Sequence, residues 1–214
     1  MRAIPKKTSK LANLIVTHIK ENLKAYIIIS FILLIGIILG IIFINHMTDS
    51  QSQEVKNYLT NFINSLKNGS TIDNGQLLKK SIGNNLFLVL FMWFVGSTVI
   101  GIPIVIGMVA FRGFCLGYTI SASVAVFGTG KGILFFVTSM LLQNLIFLPC
   151  MMALAVSGIK LYKSIMKDKR KENIKFEFFR HTIFSLIILV ALLFSSVIET
   201  YVSTNLLMLC VSYF

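Results

Sequence analysis

Charged residues are scarce in this chain of 214 residues: only 13% are Asp, Glu, Lys or Arg, about half of the roughly 25% found in soluble domains. Hydrophobic residues make up 56%, and the mean hydropathy is +0.82. A soluble fold of this length cannot bury so much apolar surface, because its surface-to-volume ratio leaves too much of it in water. The composition excludes a soluble enzyme, a disordered chain and a secreted disulfide scaffold, and it indicates a polytopic membrane protein.

Residue types that carry catalysis or bind metals are few and scattered. Three cysteines lie in apolar stretches without CxxC spacing, which is typical of small buried side chains. The three histidines are far apart in sequence, and no acid pair, Ser-His-Asp set or metal-ligand spacing occurs in the hydrophilic segments. We therefore expect no enzyme activity, no catalytic residue, no metal and no cofactor.

Acidic residues are also scarce, with 8 Asp and Glu against 20 Lys and Arg, for a net charge of +12. The basic residues concentrate before the first apolar block and between Lys160 and Arg180. Positive charge of this kind holds loops in the cytoplasm and contacts anionic lipid. No aromatic residues interleave the basic ones in a segment large enough to fold, so nucleic acid is not an expected partner.

Five uncharged apolar blocks predict five transmembrane helices in an all-α protein. Because both basic segments are expected in the cytoplasm, an even number of crossings separates them, and four crossings use all the apolar residues between them. The N-terminus is then cytoplasmic and the C-terminus external. The predicted segments are 1–24, basic and cytoplasmic; 25–44, the first span; 45–85, an external loop; 86–159, the second to fourth spans with a glycine-rich external turn near 128–132; 160–181, a basic cytoplasmic loop; and 182–214, the fifth span with an external tail.

Within the external loop, apolar residues recur at helical spacing and predict an amphipathic helix. Asp73 is placed to cap a second, short helix, which completes an external helical hairpin. The apolar stripe has three open roles: to lie on lipid, to pack on the spans, or to receive a partner. Its residues are Val55, Tyr58, Leu59, Phe62, Ile63 and Leu66.

Polar residues inside apolar blocks need partners, because burying them in lipid is costly. Arg112 interrupts the apolar sequence between the second and third spans, at the predicted inner face. It can extend to inner phosphates or pair within the bundle. Gln143 and Asn144 lie in the fourth span, where they can bond across helices or cover carbonyl groups released near Pro149.

Glu199 is the one acid within a hydrophobic segment, separated from Arg180 by eighteen uncharged residues. That spacing is about 27 Å of helix, which places Glu199 near the outer headgroups. Lys131 is predicted at the same face and is a candidate partner, whereas Arg112 is expected to be too far away. In the other interpretation, Glu199 lies at the membrane interface and is exposed to water.

Glycine pairs four residues apart occur in two predicted spans. Gly36 and Gly40 lie in the first span, and Gly113 and Gly117 lie in the third. This spacing lets helix backbones approach closely in lipid. The contact is either within the chain or with another membrane protein, and self-association is one form of the latter.

Four ordered motifs resemble those of the stage II sporulation protein M family. They lie at residues 111–118, at the glycine turn near 128–132, at 143–149 and at 198–202. The first motif, basic-Gly-Phe-x-x-Gly-aromatic, consists of Arg112, Gly113, Phe114, Gly117 and Tyr118; the third contains Gln143, Asn144 and Pro149, and the fourth contains Glu199. One departure follows the fourth motif, where Ser203 begins a segment without the proline of the family signature.

The resemblance implies a sporulation protein of the bacterial cell membrane that acts when the mother-cell membrane engulfs the forespore. It also implies a non-catalytic anchor at the septum for two peptidoglycan-degrading partners, stage II sporulation proteins D and P. The main rival is a transmembrane subunit of a small transporter or permease. An enzyme of lipid-linked precursors is a further rival, but it needs clustered acids or histidines at one membrane face.

Overall fold

The computed structural model describes residues 10–68, 72–98, 100–167 and 171–213, so parts of both basic segments lie outside the described residues. The described chain is helical and contains no strand, as predicted for an all-α protein. The α-helices are α1 (Lys10–Glu21), α2 (Leu23–Asn45), α3 (Asp49–Lys67), α4 (Asn74–Gly96), α5 (Gly101–Phe127), α6 (Thr129–Phe136), α7 (Leu142–Lys167), α8 (Lys171–Ile198) and α9 (Thr204–Cys210). Two π-helical segments, Val137–Leu141 and Glu199–Ser203, join α6 to α7 and α8 to α9, and a 3₁₀ turn spans Val211–Tyr213.

Four helical runs in the described chain are long and apolar enough to cross a membrane. They are Leu23–Asn45, Gly101–Phe127, Thr129–Met166 and Ile174–Tyr213. The protein is therefore an all-α membrane protein. Helix α4 is outside this group: its first half is polar, and its apolar half begins at Leu86.

The second and third predicted spans divide at a different place from the one expected. The sequence suggested one block over residues 86–111, ended by Arg112. In the structure α4 ends at Gly96, and α5 begins at Gly101 and continues through Arg112. Gly101 packs so closely on the end of α4 that a Cβ would overlap the Val95 carbonyl. Arg112 therefore lies inside a helix, which corrects the predicted boundary.

The predicted short second helix of the external hairpin is the first half of α4. Asp73 caps it as expected: one carboxylate oxygen accepts hydrogen bonds from the backbone N–H groups of Gly75, at 2.8 Å, and Gln76, at 3.1 Å. This arrangement satisfies donors that have no partner within the helix. The helix then continues through Gly83 to Gly96 without a break.

Helices α2 and α5 are in backbone contact through both glycine pairs. A Cβ on Gly36 or Gly40 would overlap carbonyl oxygens of α5, and one on Gly113 or Gly117 would overlap carbonyl oxygens of α2. Such spacing permits close helix packing within lipid. Of the two predicted roles for these glycines, the structure shows contact within the chain.

Substitution of Gly117 by Ala tests this contact against a matched glycine of the same helix. A Cβ at Gly107 meets nothing within 4 Å, so Gly107→Ala should stabilise the helix by up to about 1 kcal/mol. Gly117→Ala should lower the free energy of unfolding by about 1–3 kcal/mol, because α2 must move away. Unfolding in detergent, followed by the fluorescence of Trp93, measures both variants. Equal effects would contradict the packing.

The amphipathic stripe of α3 packs on the ends of α6 and α9. Ile63 and Leu66 are buried in a small apolar cluster with Phe135, Leu207 and Val211. Leu59 and Phe62 pack partly against the same cluster, and Val55 is half-buried. Tyr58 is 74% exposed. The stripe therefore holds α3 on the bundle through its C-terminal half and leaves Tyr58 on the surface.

At the other end of the bundle, ion pairs connect α1 with α7 and α8. The ammonium group of Lys160 lies 3.1 Å from the Glu21 carboxylate and 4.0 Å from that of Glu177. Arg180 lies 3.6 Å from Glu177 and 4.0 Å from Glu21. The hydrogen bond from Lys160 is the main cause that lowers the pKa of Glu21. Each exposed pair contributes only about 0–1 kcal/mol, so the network orients α1 more than it stabilises the fold.

His18 lies beside this network and is only 7% exposed. Its ring stacks on Phe184 with centroids 4.4 Å apart, and Nδ1 lies 3.1 Å from the Tyr26 hydroxyl. Burial is the main cause that lowers the pKa of His18 from 6.5 to about 4, and the positive charges of Arg180 and Lys160 contribute to this lowering. The imidazole is therefore neutral in the folded protein at pH 7.

Acidification should weaken the packing of α1 through His18. Between pH 6.5 and about 4 the unfolded chain binds a proton that the folded chain does not, so the free energy of unfolding falls as the pH falls. His18→Phe keeps a ring against Phe184 and removes this titration. Its stability should depend less steeply on pH in that window, measured by unfolding at several pH values. Identical slopes for parent and variant would contradict this role.

Candidate functional site: a buried polar cluster

A cluster of polar side chains lies among α4, α5, α7 and α8, inside the apolar bundle. Helices that cross lipid must satisfy such groups internally, since no water is available in the hydrocarbon region. We call this group the polar cluster. Its members are Ser81, Asn85, Arg112, Gln143, Asn144, Ser195, Ser196 and Glu199.

Glu199 begins the second π-helical segment, and its carboxylate connects two helices to α8. Its Oε2 atom accepts a hydrogen bond from the Ser81 hydroxyl of α4 and one from the Gln143 amide of α7, the latter at 2.7 Å. Among the described residues, no donor contacts the other oxygen, Oε1. The structure does not bring Lys131 to Glu199, which corrects the expected pairing.

The helix also continues beyond Glu199, so the predicted external tail is helical as far as Tyr213.

Arg112 pairs within the bundle, which was one of its two predicted roles. Its Nη2 donates a hydrogen bond to Asn144 Oδ1 at 3.0 Å, and its guanidinium lies 4.2 Å from the centre of the Phe147 ring. Contact with a ring face stabilises a cation, most strongly where water is excluded. The guanidinium also lies within electrostatic range of Glu199, without forming a direct ion pair in the described chain. Arg112 therefore forms no direct pair with Glu199, but both residues bond to neighbouring positions of α7, so they do not lie at opposite ends of the bundle as the sequence suggested.

Gln143 and Asn144 connect the two charged residues of the cluster. Gln143 donates to Glu199 and accepts a hydrogen bond at its backbone carbonyl from Ser195, at 3.2 Å. Asn144 accepts from Arg112 and donates to the Met140 carbonyl at 2.9 Å. The bonds to Glu199, Ser195 and Arg112 run across helices, as one alternative predicted, whereas the bond to Met140 stays within the same helical run. They do not cover a carbonyl group released near Pro149, which lies within α7.

Asn85 and Ser81 belong to the cluster but were assigned to the external loop by sequence. The Asn85 amide donates to Ser196 Oγ at 2.7 Å and to the Leu192 carbonyl at 3.1 Å. Asn85 is only 3% exposed. The sequence did carry a signal for these two residues. Residues four apart share one helix face, so Ser81 and Asn85 form a polar pair on one face of α4, directly before its apolar half.

The two π-helical segments, Val137–Leu141 and Glu199–Ser203, pack against each other beside the cluster. A π turn widens the helix by one residue and often occurs at functional sites. Beside Glu199, the hydroxyl groups of Thr200 and Ser203 are buried without a hydrogen-bond partner in the described chain. These two hydroxyl groups therefore have hydrogen-bonding capacity that the described chain does not use.

A cavity of about 400 Å³ opens between α3 and the π-helical segments, and Glu199 and Ser203 line it. A second cavity, of about 490 Å³, lies on the other side of Tyr58, next to Glu54 and Tyr118. Tyr58, Leu59 and Thr119 line both cavities. The end of the bundle under α3 therefore contains space that the chain itself does not fill.

The predicted basic-Gly-Phe-x-x-Gly-aromatic motif packs α5 on α2. Phe114 and Tyr118 stack with ring centroids 6.2 Å apart, and Phe43 of α2 lies 5.6 Å from the Phe114 ring. The two glycines of the motif bring the α2 and α5 backbones into contact. These aromatic residues then fill the space beside the glycine contact.

A double-mutant cycle tests whether Gln143 and Glu199 act together. Glu199→Gln and Gln143→Leu should show a coupling of about 0.5–2 kcal/mol, because each residue satisfies the other among mostly apolar helices. The control cycle pairs Glu199→Gln with Lys131→Gln, whose effects should add within about 0.5 kcal/mol. Unfolding in detergent measures both cycles. Additivity in the first cycle would contradict the direct contact.

The sequence matches one family model, described as stage II sporulation protein M, over residues 29–204. The match begins within α2, includes the whole polar cluster and ends at the start of α9. No curated protein sequence and no solved structure matches the chain.

Proposed function

This chain belongs to the stage II sporulation protein M family, and from that membership we propose that it is a non-catalytic membrane anchor. The family makes it a sporulation-related membrane protein. In the proposal it holds peptidoglycan-degrading partners, stage II sporulation proteins D and P, at the septum and then at the engulfing membrane. Tethering raises the local concentration of such partners and restricts their orientation.

The proposed topology has five crossings, made by α2, α4, α5, the α6–α7 run and the α8–α9 run. Two contacts support it. The ion pairs of Glu21 with Lys160 and Arg180 place the end of α1 beside the end of α7 and the first turns of α8. The apolar cluster that contains Ile63 and Leu207 places α3 at the opposite end. With the basic end in the cytoplasm, α3 lies outside the cell.

The observation that carries the anchor proposal is the fixed position of α3 on that outer end. Its apolar side is buried through Ile63 and Leu66, so the helix is held in one orientation. Its other side is polar, and Tyr58 remains exposed at the edge of two cavities. Tyrosine is enriched among residues that dominate protein interfaces. A rigid outer helix with an exposed aromatic residue suits an anchor.

One observation favours a second candidate, the transmembrane subunit of a small transporter or permease. The polar cluster contains Arg112 and Glu199 inside apolar helices, and charged residues in spans often mark transport pathways. The two functions differ in a measurable way. An anchor determines where the wall hydrolases lie, whereas a transporter leaves their position unchanged.

Replacement of Tyr58 should disperse the hydrolases without loss of the protein. In sporulating cells that carry a fluorescent hydrolase, Tyr58→Ala should reduce its enrichment at the engulfing membrane about fivefold, because an exposed aromatic contact of about 1 kcal/mol is lost. Phe176→Ala removes another exposed aromatic residue, 66% exposed, at the opposite end of the bundle. It should leave the hydrolase in place.

Unchanged localisation of the hydrolase in cells that lack the protein altogether would contradict the anchor and favour the transporter.

A second measurement addresses catalysis. The purified protein alone should release no fragments from cell wall, because the proposal assigns cleavage to its partners. Robust cleavage by the purified chain would also contradict the anchor.

A further inference from the structure

The cavity under α3 combines an apolar body with one acidic end. Its volume of about 400 Å³ lies within the range of roughly 300–1,000 Å³ found for small-molecule sites. Apolar side chains from four parts of the chain form most of its wall. They include Leu59, Phe62, Ile72, Leu77, Met140 and Leu207.

The polar end of the cavity has unused hydrogen-bonding capacity. Glu199 lines it, and in the described chain both hydrogen bonds to this carboxylate reach Oε2, which leaves Oε1 as an acceptor. Ser203 also lines the cavity; it is 2% exposed, and its hydroxyl has no partner in the described chain. An unsatisfied buried polar group costs about 1–3 kcal/mol, so a ligand that bonds to it binds more tightly.

We propose that this cavity binds an amphiphilic amine, with a primary ammonium group at Glu199 and an apolar body along the wall. An ammonium group offers three donors, which match Glu199 Oε1 and the Ser203 hydroxyl oxygen. The carboxylate repels an anionic headgroup. A bare metal ion leaves the apolar wall uncovered and finds too few oxygen ligands at one carboxylate.

Two sources can supply this chemistry, a phosphatidylethanolamine headgroup and a free amphiphilic amine. Both carry a primary ammonium group and an apolar chain; in the amine the two are bonded directly, whereas in the lipid a phosphate and glycerol lie between them. The site does not depend on the anchor function, because its evidence is the cavity, Glu199 and Ser203 alone. Loss of hydrolase binding and loss of amine binding can therefore be observed separately.

The test uses the full chain in nanodiscs of phosphatidylglycerol. Octylamine is the probe, and octan-1-ol is the uncharged control with the same alkyl chain. Octylamine should raise the unfolding temperature saturably and bind about tenfold more tightly than octan-1-ol, since a charge-assisted hydrogen bond is stronger than a neutral one. Glu199→Gln should remove that preference. Glu54→Gln, which changes an acid of the neighbouring cavity, should keep it.

Ser139→Leu provides a variant that keeps Glu199 and its hydrogen bonds. Among the residues that the structure describes, the Ser139 hydroxyl bonds only to the Phe135 carbonyl of its own helical run, and the residue lines the cavity. The larger side chain should fill the cavity and lower octylamine affinity about tenfold. Equal affinity for octylamine and octan-1-ol in the parent, or unchanged octylamine affinity in Ser139→Leu, would overturn the site.

A second titration, in nanodiscs of a different lipid composition, distinguishes the lipid headgroup from the free amine. Part of the phosphatidylglycerol is replaced by phosphatidylethanolamine, and the octylamine titration is repeated. If the lipid headgroup is the ligand, the apparent affinity for octylamine falls in the parent but not in Ser139→Leu. If the affinity stays the same in the parent, a free amine is the ligand.

Discussion

The hydrogen bonds at Glu199 are the constraint on which the arrangement of the bundle depends. A carboxylate among apolar helices must find donors inside the protein, because lipid offers none. Ser81 of α4 and Gln143 of α7 supply them, and Ser195, one turn earlier in α8, bonds to the Gln143 backbone. Helices α4, α7 and α8 are thereby placed in one register. Removal of this acid affects the mutual position of all three.

The two ends of the bundle are held by different forces. At the end with Lys160 and Arg180, ion pairs with Glu21 and Glu177 orient α1. At the other end, α3 is held mostly by apolar contacts around Ile63. Between them, the glycine contacts of α2 with α5 provide close packing where lipid gives no hydrophobic driving force between helices. In the proposed topology the end with α3, its cavity and its exposed aromatic residue lies outside the cell, where we propose that ligands and partners bind.

Composition and helical spacing predicted the helical membrane fold and the close approach at the glycines, because both depend on local sequence. The boundary at Arg112 was wrong for a physical reason: a charged residue ordinarily marks a membrane face, but this one bonds to Asn144 and lies against Phe147. Ser81 was missed because its partner, Glu199, is 118 residues away. The π-helical segments carry no local signal, since they arise from packing between helices.

Chemical labelling from each side of the membrane tests the central claim, that α3 and the basic segment before α8 lie on opposite sides. Single cysteines are introduced at Ser65, exposed on α3, and at Lys163, exposed near the end of α7, in a chain whose native cysteines are replaced. A membrane-impermeant maleimide added to intact cells should label Ser65→Cys, whereas Lys163→Cys should react only after the membrane is permeabilised. Labelling of both positions from the same side would contradict the outer position of α3, and with it the anchor.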